Sequence, residues 1–163
     1  MHTIEGTLEG AHLRLAIVAS RFDKAAVLDR LIAGAVEAAR GCSVPDGALD
    51  LVRVPGAFEL AAAARRLAAS GRYDAIVCVG AVVRGETPHF EYIAREAARG
   101  IAAASHDFDL PVTFGVITAD TVEQARERAD GKSGNKGREA MLAAIEMATL
   151  FARLPGPIGV NKP

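Results

Sequence analysis

The chain has 163 residues, of which 50% are apolar and 24% charged, and its 19 Lys and Arg nearly balance 20 Asp and Glu for a net charge of −1. This is the composition of a globular chain rather than a disordered one, long enough for a single domain with one sizeable core. The balanced charge, the 5% aromatic content and the absence of Trp argue against a dedicated nucleic-acid binder, whether basic or base-stacking.

Taken in chain order, two periodicities alternate. Leu13–Ala19 is a short apolar run and is predicted as a buried strand. Lys24–Arg40 carries Val27, Leu28, Leu31, Ile32, Ala35, Val36 and Ala39, the spacing of an amphipathic helix, and Gly41 offers a stop. Ala48–Val54 reads as a second strand, broken by Pro55-Gly56, and Ala57–Ser70 as an Ala-rich helix ending near Gly71. Ala75–Val83 is uncharged and apolar apart from one glycine, which fits a parallel strand covered on both faces.

Thr87–Ala104 is predicted as the third helix, with Thr87 as N-cap and Pro88 at the first helical position. Pro111–Ile117 is the fourth strand, Thr121–Ala129 a short helix, and Lys136–Ala152 a long helix with Met141, Ala144, Ile145 and Ala148 on one face. Leu154–Pro163 reads as a tail. Strands alternating with helices imply an α/β protein with an open, four-stranded parallel sheet. No repeat or linker divides the chain, so residues 1–163 are expected to form one domain, with 1–12 as an arm and 154–163 as a tail.

Two cysteines cannot build a disulfide framework. Cys78, inside the run Ile76–Val79, reads as a small core residue, and Cys42 falls in a turn; reduced thiols in the cytoplasm are expected. There is no CxxC or His/Cys cluster with zinc spacing, and no metal is expected. Glu5 and Glu9 precede the first apolar run, and no apolar run reaches about 18 residues, so neither a signal peptide nor a membrane span is expected.

In such sheets ligands sit at the carboxyl ends of the strands. That rule singles out Ser20–Asp23, Pro55–Glu59, Arg84–Phe90 and Thr118–Asp120. Gly85-Glu86-Thr87 leads into a helix start, where free N–H groups and the positive helix end suit an anion; a plain capping turn would use the same residues. His89 lies in the first turn of that helix, at its expected second position. There the dipole favours a neutral imidazole able to relay a proton, although a histidine with no role is the commoner case.

Arg128 and Lys136 flank Asp130–Gly137. They could neutralise a phosphate or simply face water, and the spacing is not that of a Walker A loop. Phe22 follows a strand where a flat heteroaromatic ligand could stack on it; Phe90 reads as core, and Phe114 as either core or ligand wall. Glu59 could complement a helix dipole or accept hydrogen bonds from a polyol.

Arg21-Phe22, Val54–Leu60, Gly80–Tyr92, Pro111–Val116 and Gly134–Gly137 occur in an order that resembles the lumazine synthase family, over about Leu13 to Phe151. The resemblance implies a flavodoxin-like three-layer αβα fold. It also implies condensation of 5-amino-6-ribitylaminouracil with 3,4-dihydroxy-2-butanone 4-phosphate to 6,7-dimethyl-8-ribityllumazine, the penultimate step of riboflavin biosynthesis, without a cofactor.

By the same resemblance, Phe22, Ala57, Phe58 and Glu59 line the pyrimidine and ribityl pocket, and Ala81, Val82 and Val83 offer backbone groups to the uracil edge. Glu86, Thr87 and Arg128 hold phosphate, with Lys136 near it, and His89 transfers protons. Phe114 reaches the pocket of the next subunit. Asp23 stands where the family commonly has Asn, and Glu86 where it often has a smaller residue.

The resemblance further implies a homo-oligomer, a pentamer or a sixty-subunit icosahedral shell of pentamers, with riboflavin synthase as an associating partner. The segment Ile4–Leu8 would add a strand to a neighbour's sheet, and the short Gly131–Asn135 stretch favours the shell. Two other readings share this pocket: an archaeal-type riboflavin synthase and a non-catalytic flavin or lumazine carrier. The phosphate-directed Gly85-Glu86-Thr87 and Arg128 argue against the first. The second has no need of His89 or Arg128.

Overall fold

The four apolar runs become four strands of one parallel sheet in the computed structural model, which describes residues 1–130 and 134–156. The strands are β1 (Leu15–Ser20), β2 (Leu49–Val54), β3 (Ala75–Val83) and β4 (Val112–Ala119), and their spatial order is β2-β1-β3-β4. The helices are α1 (Leu28–Gly41), α2 (Leu60–Ala69), α3 (His89–Phe108), α4 (Val122–Asp130) and α5 (Lys136–Phe151). Every pairing is parallel, so each connection must cross a sheet face through a helix, and the order is the flavodoxin-like one.

The central strands explain why no solvent-facing alternation is seen. Leu15, Ile17 and Ala19 pack with Leu31, Met141 and Ile145 on one face. Ala16 and Val18 pack with Leu60, Ala64 and Ile101 on the other. A strand covered on both sides must be apolar, as β3 is throughout and β1 is up to its last residue, Ser20. Among the described residues no helix is long and apolar enough to cross a membrane.

Small residues set the helix spacing. A Cβ on Gly137 would stand 2.0 Å from the Leu31 carbonyl oxygen, and one on Gly100 would stand 2.5 Å from the Ala61 Cβ. The α5–α1 and α3–α2 crossings are therefore as close as backbones permit.

Several boundaries differ from the expected ones. Helix α1 begins at Leu28, not Lys24, because Ala26 takes φ 55° and the Asp23 carboxylate accepts the Leu28 N–H at 2.7 Å. A left-handed residue cannot sit inside a right-handed helix. The helix runs through Gly41, and the chain reverses at Ser43, φ 65°. Ala57–Glu59 forms a 3-10 turn before α2 begins. Pro88, not Thr87, is the N-cap of α3, so His89 is its first residue, not its second; no side chain caps this end. The helix runs on to Phe108, four residues past the expected end, before Asp109 reverses it at φ 47°.

The arm forms no strand within this chain. Instead the Thr7 N–H donates to the Thr149 hydroxyl at 2.7 Å, that hydroxyl donates back to the Thr7 carbonyl at 2.8 Å, and Arg153 donates to the Glu5 carbonyl. Gly6 lies against the Glu146 carbonyl, where a side chain would not fit. Gly131–Ser133, part of the stretch on which the expected shell rests, and residues 157–163 of the tail lie outside the described residues.

Candidate functional site

A cavity of about 740 Å³ opens at the carboxyl ends of β1, β2 and β3, a size suited to a small organic molecule. Strand ends supply its floor: Ala81, Val82 and Val83 finish β3, and Ala57 starts the turn after β2. Phe22 and Phe58 form walls, with 69% and 54% of their surfaces exposed. Large aromatic faces left this bare are costly to keep in water and suit a flat ligand. Backbone bonds from Arg21 N–H to the Val54 carbonyl and from Phe22 N–H to the Pro55 carbonyl hold the two loops side by side.

Glu59 brings the cavity its carboxylate. It makes no capping bond to the helix it precedes, and its Oε2 lies over Gly56, where an added Cβ would come within 3.1 Å. As a lining residue it can offer hydrogen-bond acceptors to the cavity, and it also stands in the first turn of the 3-10 helix. Thr87 and His89 line the other rim, with Gly85 between β3 and α3. A Cβ on Gly85 would meet nothing within 4 Å, so the backbone of this turn is open to approach.

The cavity thus gathers nine of the expected residues: Phe22, Ala57, Phe58, Glu59, Ala81, Val82, Val83, Thr87 and His89. Four stand elsewhere. Arg128 lines a second, polar cleft of about 430 Å³ together with Arg84, Asp120, Gln124 and Glu127. Glu86 is exposed and lines neither cleft. Lys136 starts α5 and pairs with Glu139. Phe114 pairs in register with Cys78, five residues before the Val83–Ala119 pair, which puts it roughly 16 Å down the edge strand from the cavity level at the usual rise per residue.

Lys24, Phe90 and Ile93 also line the cavity and were not expected there. Phe90 packs against the core as expected, and its ring also walls the second cleft, where the Arg84 guanidinium stacks on it at 4.9 Å. An aromatic in the first turn of a helix that points at a strand end is the signal that could have found it. Lys24 is one residue beyond a segment already singled out, but nothing in its type marks it as a wall.

Arg84 is held from three sides. Its Nε donates to Asp120 Oδ1 at 2.7 Å, a terminal nitrogen pairs with Glu91 Oε1 at 3.4 Å, and its backbone N–H donates to the Ala119 carbonyl. Both carboxylates push its pKa up, the Asp120 hydrogen bond most. Cys78 is fully buried, and burial pushes its thiol up to about 12, so it has no chemistry to offer here. No group of three His, Cys, Asp or Glu among the described residues could hold a metal ion.

Comparison with known proteins gives one answer. The family model described as 6,7-dimethyl-8-ribityllumazine synthase matches residues 12–152. A protein of that name from Nautilia profundicola is 51% identical over 155 residues, 94% of this chain and 100% of the relative. Another of that name from an Anaeromyxobacter species is 48% identical over 160 residues, 96% and 98% of the two chains. A de novo designed Rossmann fold protein superposes on 71% of this chain and 92% of its own at 19% identity, with a TM-score of 0.36, too loose to bear on the fold.

Proposed function

The chain belongs to the 6,7-dimethyl-8-ribityllumazine synthase family, and from that premise we propose that it condenses 5-amino-6-(D-ribitylamino)uracil with 3,4-dihydroxy-2-butanone 4-phosphate. The observation that carries this reading is the cavity itself. It has bare aromatic walls for a flat ring, a carboxylate among its lining residues for hydroxyls, and an open N-terminal turn beside an imidazole. It is one domain, with the arm at 1–12 and the tail at 154–163.

The assignments follow the geometry. The pyrimidine stacks on Phe22, its edge meets the backbone of Ala81–Val83, and Ala57, Phe58 and Glu59 take the ribityl chain. Thr87 and the N–H groups at the start of α3 hold phosphate. Glu86, a carboxylate, serves only through its backbone. The 5-amino group attacks the ketone carbonyl, and water leaves to give an imine. Loss of a proton and of phosphate follows. The resulting enol tautomerises to a methyl ketone, the ribityl-bearing nitrogen closes the ring on that new carbonyl carbon, and a second water leaves. His89 carries protons between these centres, worth about 10²–10⁴-fold, while joining two reactants in one cavity supplies the larger, entropic share.

Within one chain this site is incomplete, since Arg128, Phe114 and Lys136 lie outside the cavity. We assign them to the cavity of a neighbouring protomer, as the phosphate's arginine, an aromatic wall and a cation near the phosphate, in a pentamer that builds further into a shell. The arm supports this assembly: Thr7 bonds inward to Thr149, and among the described hydrogen bonds none uses the backbone of Gly6 or Leu8. The edge strand β2, with Leu51 exposed, offers a neighbour's arm something to pair with. Riboflavin synthase, which consumes the product, is the proposed associating protein. Unpaired Cys42 and Cys78 suit the cytoplasm.

The test mixes both substrates with the protein and follows the absorbance and fluorescence of the product. Formation of the lumazine with release of phosphate supports the reading; tight flavin binding without product would instead favour a carrier. Scattering mass gives the assembly, and a monomer would contradict it.

A further inference from the structure

We infer that Arg84 is a positioning residue that sets the phosphate site from behind, locking the first turn of α3 to the β4–α4 corner. The inference rests on the phosphate assignments proposed above. Four contacts converge on this one side chain and the backbone beside it. The Arg84 N–H donates to the Ala119 carbonyl at 2.9 Å, which continues the β3–β4 pairing past the strand end. Its guanidinium reaches Asp120 at 2.7 Å and Glu91 at 3.4 Å, and lies 4.9 Å from the Phe90 ring centre.

Those partners belong to the turn that faces this chain's own cavity and to the corner before the helix that carries Arg128 toward a neighbour's. Phe90 and Glu91 are the second and third residues of α3, directly after His89. Asp120 joins β4 to α4, and its N–H donates to the Gln124 side chain at 2.9 Å. Arg128 follows one turn later on the same helix. The turn Gly85–Thr87 hangs between these anchors with no side-chain cap on the helix it precedes. Its amides are left free for an anion, so its position must be fixed from outside, and Arg84 is the residue placed to fix it. A planar fork that can bond two carboxylates and stack on a ring at once suits that task, which an ammonium group fulfils only in part.

A direct phosphate contact by Arg84 is the rival role, and Asp120 separates the two. Freeing the guanidinium from Asp120 would strengthen a direct contact but would loosen a positioned turn. The experiment titrates inorganic phosphate, followed by backbone amide shifts or calorimetry, and measures both KM values where turnover is present. Arg84→Gln is expected to weaken phosphate binding and raise the KM for the ketose phosphate about tenfold. The KM for the pyrimidine stays within about twofold, because its floor rests on β3 rather than on this clamp. Asp120→Asn shifts phosphate binding in the same direction, and Arg84→Lys recovers part of the loss.

Unchanged phosphate affinity in Arg84→Gln overturns the inference. So does tighter binding in Asp120→Asn, or an equal loss for both substrates. The phosphate titration needs no turnover, so wild-type protein that binds phosphate but forms no lumazine refutes the proposed reaction and not the role of Arg84.

Discussion

The side-chain amide of Asn135 donates to the carbonyl of Ala129 at 2.5 Å, the residue next to Arg128. The same nitrogen donates to the Arg30 carbonyl at 2.9 Å, and Oδ1 accepts the Arg138 N–H at 3.0 Å as the N-cap of α5. One side chain therefore joins α1, α4 and α5. Asn135→Ala loses a cap and two further bonds, and is expected to cost about 2–3 kcal/mol, read as a lowered Tm. Because it also frees the end of α4, the KM for the phosphorylated substrate rises. Asn135→Asp keeps the cap but sets an acceptor against two carbonyls, and does not rescue.

Gly137 has no room for a side chain, since Leu31 backbone atoms stand 2.0–3.0 Å from the Cβ position. Backbone cannot swing aside as a side-chain tip does. Gly137→Ala is expected to cost roughly 3 kcal/mol or more by forcing α1 and α5 apart. Gly47→Ala, where nothing lies within 4 Å, serves as the control and leaves thermal stability nearly unchanged.

A polar cluster at the opposite end of the sheet gives a pH signature. The Tyr73 hydroxyl donates to Asp50 at 2.7 Å and holds that carboxyl below its usual range, with Arg14 and Arg72 acting in the same sense. A carboxylate with a lowered folded pKa contributes fully above its unfolded value of about 3.9, and its contribution fades as pH falls through the folded value. Asp50 is 40% exposed, so screening trims the effect, and Tyr73→Phe is expected to cost about 1 kcal/mol at pH 7. Denaturation curves should show this gap closing below about pH 4; a gap that is constant with pH would mean the hydroxyl acts through packing alone.

Ser20 ends β1 fully buried, and its hydroxyl has no hydrogen-bond partner. An unpaired buried hydroxyl destabilises a core. Ser20→Ala is therefore expected to be neutral or to gain up to about 1 kcal/mol in chemical unfolding. A clear loss would show that the hydroxyl meets a bound water or substrate in the working protein.

What was legible in the chain depended on how local its cause is. Ala75–Val83 declared itself a doubly covered strand because only that environment keeps so long a run uncharged, and the observed bounds match. The rule of carboxyl ends then located Phe22, Glu59 and His89 without any contact being known. The start of α1 was not legible, because it depends on a left-handed Ala26, a residue type with no preference for that conformation. The link from Arg84 to Asp120, thirty-six residues further on, was not legible either, because no periodicity reports such a partnership. Arg128 and Phe114 were legible as types, but within their own chain both lie outside the cavity.

That separation makes a shared site the central claim, and mixed assemblies test it most directly. His89→Ala and Arg128→Ala are each expected to turn over slowly as separate preparations. Unfolded together in equal amounts and refolded, they form rings in which a boundary is intact when one protomer supplies His89 and its neighbour supplies Arg128. Lumazine formation should then recover to about a quarter of the wild-type rate, the random share of such boundaries in a ring built of head-to-tail contacts. Activity no higher than that of the two parents would contradict the account, because it would mean that His89 and Arg128 work within a single chain or not on the same phosphate.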